Sequence, residues 1–382
     1  MATRRSTAEP TDARHTVAFV LQGGGALGAY QAGACEALAA QGRQPDWVAG
    51  ISIGAINAAL IAGNPPEQRI ERLRAFWERV SSQLPSLPWA PPSAQTRPWL
   101  HEWSAAWGAV FGLPGFFTPR PGAAVWPGPM ANPSFYDTGP LRDTLLELVD
   151  FDRLNDGPMR ISVGAVDVQN GNFAYFDNRH GRLGPQHIMA SAALPPGFPA
   201  VEVQGRSYWD GGLVSNTPLS HVVDNLSGDD ATIFQVDLFS ARGDLPRTLA
   251  QVAEREKDIR FSSRTRLVTD MLRDRHELHR RIRELGAMLP AARRADPVVQ
   301  QLLAGTDDTS VTLVHLIHRH KGGELQTKDY EFSRATMLEH WQAGRADMTH
   351  SLHSLAAAPA DTQPASFRVF DYHPRSTEGV AR

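Results

Sequence analysis

The chain has 382 residues, 42% of them hydrophobic and 21% charged, with a net charge of -3. That is ordinary globular composition, long enough for one large domain or two modest ones. The charge gives no global signal for nucleic acid, the single cysteine (Cys35) excludes an internal disulfide framework, and no apolar run reaches the length of a transmembrane helix.

Residues 1–15 are polar and basic and lack the apolar stretch of a secretory signal, so they read as a disordered tail on a cytoplasmic protein. Thr16 to Leu21 reads as an apolar strand running into Gly23-Gly24-Gly25. A helix follows at once, with Leu27, Tyr30, Ala34 and Leu38 on one face. Val48 to Ile51 repeats the pattern as a short strand, Ser52 takes the turn, and Ile53 to Ala62 reads as a helix stopped by Gly63-Asn64. Two successive strand–turn–helix units predict parallel neighbours with both turns at one sheet edge. A serine on a sharp strand-to-helix turn is strained, and small flanking residues let such a turn form. Its hydroxyl then meets a helix N-terminus, where developing negative charge is favoured. The glycine loop adds bare N–H groups beside it. A nucleophile next to an anion cradle is what acyl transfer requires. Gly23, Gly25 and Gly28 also fit a dinucleotide fingerprint, but the acid it needs after the second strand is missing, since Asp46 precedes that strand.

Glu67 to Val80 continues helical, with Ile70, Leu73, Phe76, Trp77 and Val80 on one face. Residues 81–133 change character. Prolines recur there, interleaved with Trp89, Trp99, Trp103, Trp107, Phe111, Phe116, Phe117 and Trp126. This insertion reads either as a lipid-contacting cap or as a segment packing its aromatics on the core. Pro140 to Val149 is a helix with Leu141, Leu145 and Leu148 as its stripe. Ile161 to Val168 and Phe173 to Phe176 are strands joined across Asn170-Gly171. A short helix, Ile188 to Ala193, breaks at Pro195-Pro196. Val201 to Val203 and Ser207 to Trp209 form a second hairpin about Gly205, and Asp210 follows immediately, before Gly211-Gly212. Thr232 to Phe239 is a core strand. From Pro246 to about Leu303 the chain is helical and arginine-rich, with Leu278, Ile282, Leu285 and Leu289 as a buried stripe and the arginines as a solvated face. Val311 to Ile317 adds a strand at the sheet edge, Ser333 to Leu355 is a further helix, and the tail after Ala356 reads as mobile.

The ordered blocks Gly23 to Gly28, Gly50-Ile51-Ser52-Ile53-Gly54, Ala190 to Pro199 and Tyr208-Trp209-Asp210-Gly211-Gly212 resemble those of the patatin-like phospholipases, a family of serine acyl hydrolases. The resemblance covers residues 16–240. It departs from the family at Leu27, where an Arg or Lys is usual. It implies a three-layer α/β/α sandwich with a mostly parallel central sheet. It also implies a Ser52–Asp210 dyad in place of a triad, and an oxyanion hole at Gly23, Gly24 and Gly25. Gly28, Gly50, Gly54, Gly211 and Gly212 would support these motifs. The expected activity is ester hydrolysis on phospholipids or related lipids, with no metal or organic cofactor and with transient contact at a lipid surface. Lysophospholipase, acylglycerol or hydroxyacyl-ester hydrolase and acyltransferase activities stay open, as does a catalytically silent lipid-binding scaffold. In domain terms, residues 16–240 would be catalytic, 241–355 a mainly helical extension packed on the core, and 356–382 a mobile tail.

Overall fold

The computed structural model describes residues 15–81, 110–122, 132–226, 230–306, 309–319, 329–358 and 366–371. The expected N-terminal tail, the tryptophans of the insertion and the extreme C-terminus lie outside the described residues.

The first half of the chain supplies β1 (Thr16–Leu21), α1 (Ala29–Ala40), β2 (Trp47–Ile51), α2 (Ile53–Ala62) and α3 (Arg69–Val80). A two-stranded ribbon, β3 (Thr118–Pro119) and β4 (Tyr136–Asp137), precedes α4 (Gly139–Leu148) and α5 (Phe151–Asp156). Next come β5 (Arg160–Asp167), β6 (Phe173–Asp177), α6 (Pro185–Ser191), β7 (Val201–Val203), β8 (Arg206–Asp210) and α7 (Leu219–Asp224). The remainder is β9 (Ala231–Asp237), α8 (Leu249–Met288), α9 (Ala291–Arg294), α10 (Pro297–Ala304), β10 (Val311–Ile317), α11 (Arg334–Ala357) and β11 (Phe367–Asp371).

Among the described residues the central sheet holds β11-β10-β9-β1-β2-β5, all parallel, and then the antiparallel β6 and the β7–β8 hairpin. Parallel strands are covered on both faces, so they read as continuous apolar runs. β1 shows this: Phe19 and Leu21 enter the layer of α1, α2 and α3, whereas Ala18 and Val20 enter the opposite layer with Leu219, Val222 and Leu272. The result is the expected α/β/α sandwich.

Two features of this topology place the site. β1 pairs with β2 on one side and with β9 on the other, so the chain order reverses there. The crevice at the carboxyl ends of such strands is where ligands bind in open α/β sheets. Second, β2 ends at Ile51, opposite Gly164 of β5. β8 then takes over the same edge of β5, running the other way, with Asp210 opposite Ala165. The edge assignment follows from Val166, which pairs with Phe173 of β6 and with Trp209 of β8. Two strands therefore meet end to end, and Ser52 and Asp210 stand at the junction.

The C-terminal part departs from expectation in three places. β10 is not an edge strand, because β11 pairs beyond it. The chain after Ala356 is thus not wholly a mobile tail: Phe367 and Val369 pack against the core on the α7 side. Along α8, Leu272 is buried but Leu278 and Leu285 are 55% and 63% exposed, since the helix runs on past the sheet that would cover them.

Candidate active site

Ser52 sits between β2 and α2 with φ 56° and ψ -124°. A positive φ at a residue with a side chain costs about 1–3 kcal/mol and persists only where neighbours impose it. Here Ser52 N–H donates to Ser191 Oγ at 3.1 Å, and Ser191 Oγ–H donates to the Gly164 carbonyl at 2.6 Å. That chain ties the turn to α6 and to β5. A Cβ at Gly54 would collide with the Leu21 carbonyl, so glycine is what lets the turn close against β1.

Asp210 ends β8 and is buried. Its Oδ1 accepts the Gly212 N–H at 2.7 Å, its own N–H donates to the Ala193 carbonyl at 3.0 Å, and the Ser52 side chain stands beside its carboxylate on the same cavity lining. Burial pushes its pKa up to about 7, while the neighbouring Ser52 hydroxyl and the Gly212 N–H pull the other way.

The glycine loop is clamped by residues the sequence reading missed. Asn216 Nδ2 donates to the Gly23 carbonyl at 2.9 Å, and Gly23 N–H donates to the Asn216 carbonyl at 3.2 Å. The Gly23 N–H, expected in the oxyanion hole, thus already has a carbonyl acceptor in this structure. Ala26 N–H donates to the Asp329 carbonyl at 2.9 Å. Gly25 has φ 55°, and a Cβ there would strike that same carbonyl. Among the described residues neither Gly24 nor Gly25 has an acceptor for its N–H, and both line the cavity.

Beneath the loop lies a buried amide network. Gln22 Oε1 accepts the N–H groups of Leu238 and Phe239 at 2.7 and 3.0 Å, and its carbonyl accepts Gln31 Nε2 at 2.6 Å. Asn57 Nδ2 donates to the Gly28 carbonyl and to Gln31 Oε1, while Trp77 Nε1 donates to Asn57 Oδ1. These side chains lock the first turn to α2, so the loop and the serine keep one relative position. The only sequence hint was polar residues inside otherwise apolar runs. Leu27 is fully buried in this layer, which leaves no room for the usual cation.

Ser52, Asp210, Gly23, Gly24, Gly25, Gly212 and Asn216 line a cavity of about 230 Å³. Its walls are Phe116, Phe117, Tyr136, Phe198 and Phe332, packed ring on ring at centroid distances of 4.6 to 6.1 Å, with Phe239 and Phe261 adjoining. The described part of the insertion thus packs two phenylalanines onto the core as cavity wall. Tyr330, 53% exposed, lines its mouth.

Among the described residues no histidine lines the cavity. His221 stacks on Tyr175 and lies 3.5 Å from Asp177, at the amino ends of β2 and β5. His276 packs on Phe367, and His318 faces Tyr30 and His340. His187 Nδ1 accepts the Gly184 N–H at the start of α6. No three or more His, Cys, Asp or Glu among the described residues are grouped to hold a metal.

A family model described as patatin-like phospholipase matches residues 19–223, and a second, described as patatin phospholipase, matches residues 259–362. The crystal structure of VipD from Legionella pneumophila superimposes with a TM-score of 0.40 at 14% identity, over 89% of this chain and 67% of that one. No curated protein matches the chain. The first family match runs over more than half of the chain, from β1 through both strand–helix turns to Asp210 and α7, and so takes in every group gathered at the cavity floor. On that ground the chain belongs to the patatin-like phospholipases, a family of lipid acyl hydrolases.

Proposed function

We propose that the protein hydrolyses carboxylic esters of phospholipids or related lipids through an acyl-Ser52 intermediate, with Asp210 as the sole proton-transfer partner. The observation that carries this is the strained Ser52 turn beside a buried Asp210 carboxylate, both lining the same largely apolar cavity. The acyl chain lies among the phenylalanines. As Ser52 Oγ attacks the ester carbonyl, its proton passes to Asp210. The tetrahedral oxyanion takes the N–H groups of Gly24 and Gly25. Collapse breaks the ester C–O bond, and the leaving alcohol oxygen takes the proton from Asp210. Water then attacks the acyl carbon, gives a proton to Asp210 and frees the acid, after which Ser52 recovers its proton. No step calls on a metal or organic cofactor. A carboxyl with a pKa near 7 suits both proton transfers, because it is close to matched with neutral pH.

This reading makes residues 16–240 the catalytic part. Residues 241–371 complete the sheet, and Asp329 to Phe332 complete the cavity. It also calls for transient contact at a lipid surface, which delivers the acyl chain to the apolar cavity. Acyl transfer to an alcohol in place of water uses the same groups.

Labelling with a fluorophosphonate probe tests the reading. The intact protein is expected to be labelled at Ser52 and the Ser52→Ala variant to stay unlabelled. A silent lipid-binding scaffold would leave both unlabelled.

A second expected result separates the dyad from a triad. His187→Gln, His221→Gln, His276→Gln, His315→Gln, His318→Gln and His340→Gln each keep turnover of p-nitrophenyl butyrate within about tenfold of the parent when assayed below their melting temperatures. One variant that melts normally but loses roughly a thousandfold would assign a histidine base instead.

A further inference from the structure

Beside the acyl cavity lies another of about 550 Å³. The two share Leu194, Pro195, Gly212, Asn216, Phe261 and Tyr330 as a common wall. Their chemistry differs. The acyl cavity has apolar walls, whereas Glu256, Lys257 and Arg260 from the first turns of α8 line its neighbour. The three charges are not equivalent. Lys257 Nζ is committed to Asp329 Oδ1 at 2.5 Å and lies 4.5 Å from the Tyr330 ring centre. It thereby holds the segment whose carbonyl meets the glycine loop. Arg260 and Glu256 pair with each other at 2.8 Å, with side chains 68% and 58% exposed. An exposed helical pair of this kind is weak in water and exchanges readily for a better partner.

We propose that this second cavity receives the leaving group, and that Arg260 and Glu256 select a zwitterionic phospholipid headgroup, the phosphate on Arg260 and the ammonium on Glu256. The inference rests on Ser52 and Asp210 acting as described above. In that reaction the leaving oxygen takes its proton from Asp210, so the alcohol departs on the Asp210 side. There Gly212 and Asn216 form the wall common to both cavities. An acyl chain held among the phenylalanines directs the rest of the lipid the same way. The guanidinium fork matches two phosphate oxygens, and the carboxylate matches a compact cation. A neutral acylglycerol meets neither charge. A phosphate monoester without an ammonium meets Arg260 but is repelled by Glu256.

The test measures kcat/KM of the full chain on 1-oleoylglycerol, 1-oleoylglycero-3-phosphate and 1-oleoylglycero-3-phosphocholine, all as monomers in solution. The parent protein is expected to prefer the phosphocholine ester to the glycerol ester. Arg260→Glu should lower that ratio roughly tenfold or more through KM, the scale of one charge-assisted hydrogen bond. Glu256→Gln should lower the ratio of phosphocholine to phosphate ester. Both positions are solvent-exposed, so melting temperatures should hold, which keeps the comparison interpretable. A parent ratio at or below unity, or ratios that neither substitution moves, overturns the headgroup site. Ser52→Ala on the same substrates separates the two readings. Retained turnover refutes the nucleophile, whereas a dead Ser52→Ala with unresponsive ratios refutes the headgroup site alone.

Discussion

Ser52→Ala is expected to lower turnover of p-nitrophenyl butyrate by roughly a thousandfold or more, as removal of the nucleophile does in serine hydrolases. A short soluble ester is the right substrate, because it removes lipid-surface binding from the measurement. The fold should survive: the turn is held by the Ser52 N–H bond to Ser191 and by the close approach of Gly54 to Leu21, neither of which uses the hydroxyl. The variant does remove the neighbouring hydroxyl that favours the ionised Asp210 carboxylate. Its melting temperature is therefore best compared at pH 5, where a carboxyl with a pKa near 7 is protonated in the folded protein. Retained turnover, with mass spectrometry placing the acyl group elsewhere, would sink the assignment. A collapse of the melting temperature at pH 5 would show instead that the hydroxyl is structural.

What the sequence revealed and what it hid divide along a physical line. The glycine turns, the strand alternations and the amphipathic helices are local, so each was legible within about ten residues. The turn at Ser52 was legible for that reason, whereas an aspartate ending a hairpin strand before two glycines reads first as a turn residue, and a role for Asp210 came only from the resemblance of Tyr208 to Gly212 to a family block. The clamps on the site are not local. Asn216 holds Gly23 across 193 residues of chain, and the Asp329 carbonyl reaches Ala26 from a segment that reads as polar loop. Gly23 was assigned a free N–H because its acceptor could not be seen from its own neighbourhood. The one local hint was Ser215-Asn216-Thr217-Pro218, a turn directly after the Asp210 loop. β11 escaped notice because a five-residue edge strand paired on one side carries only a short alternation, Phe367-Arg368-Val369. The stripe Leu278–Leu285 failed in the opposite sense. Its periodicity marks a helix face correctly, but periodicity does not say what lies against that face.

Asp210→Asn is expected to be nearly as damaging to activity and to stabilise the fold, and the opposite signs are the diagnostic. The amide keeps an oxygen for the Gly212 N–H but cannot take the Ser52 proton, so turnover should fall by about 10²–10⁴. In the parent protein, kcat/KM should rise with pH along a limb centred near 7, where the buried carboxyl ionises. The residual activity of Asp210→Asn should lack that limb. Stability runs the other way. The folded pKa, about 7, lies above the ordinary carboxylate value of about 4, so between these the folded state binds more protons than the unfolded one. Stability from this group is then complete below about pH 4 and lost as pH rises to about 7. The substituted amide carries no such charge. The variant should therefore melt higher than the parent at pH 8, with the gap closing toward pH 4, once the similar contribution of the other raised carboxyl, Asp237, is shared by both proteins. A variant that keeps most of its activity, or a gap that does not change with pH, would remove Asp210 from the proton path.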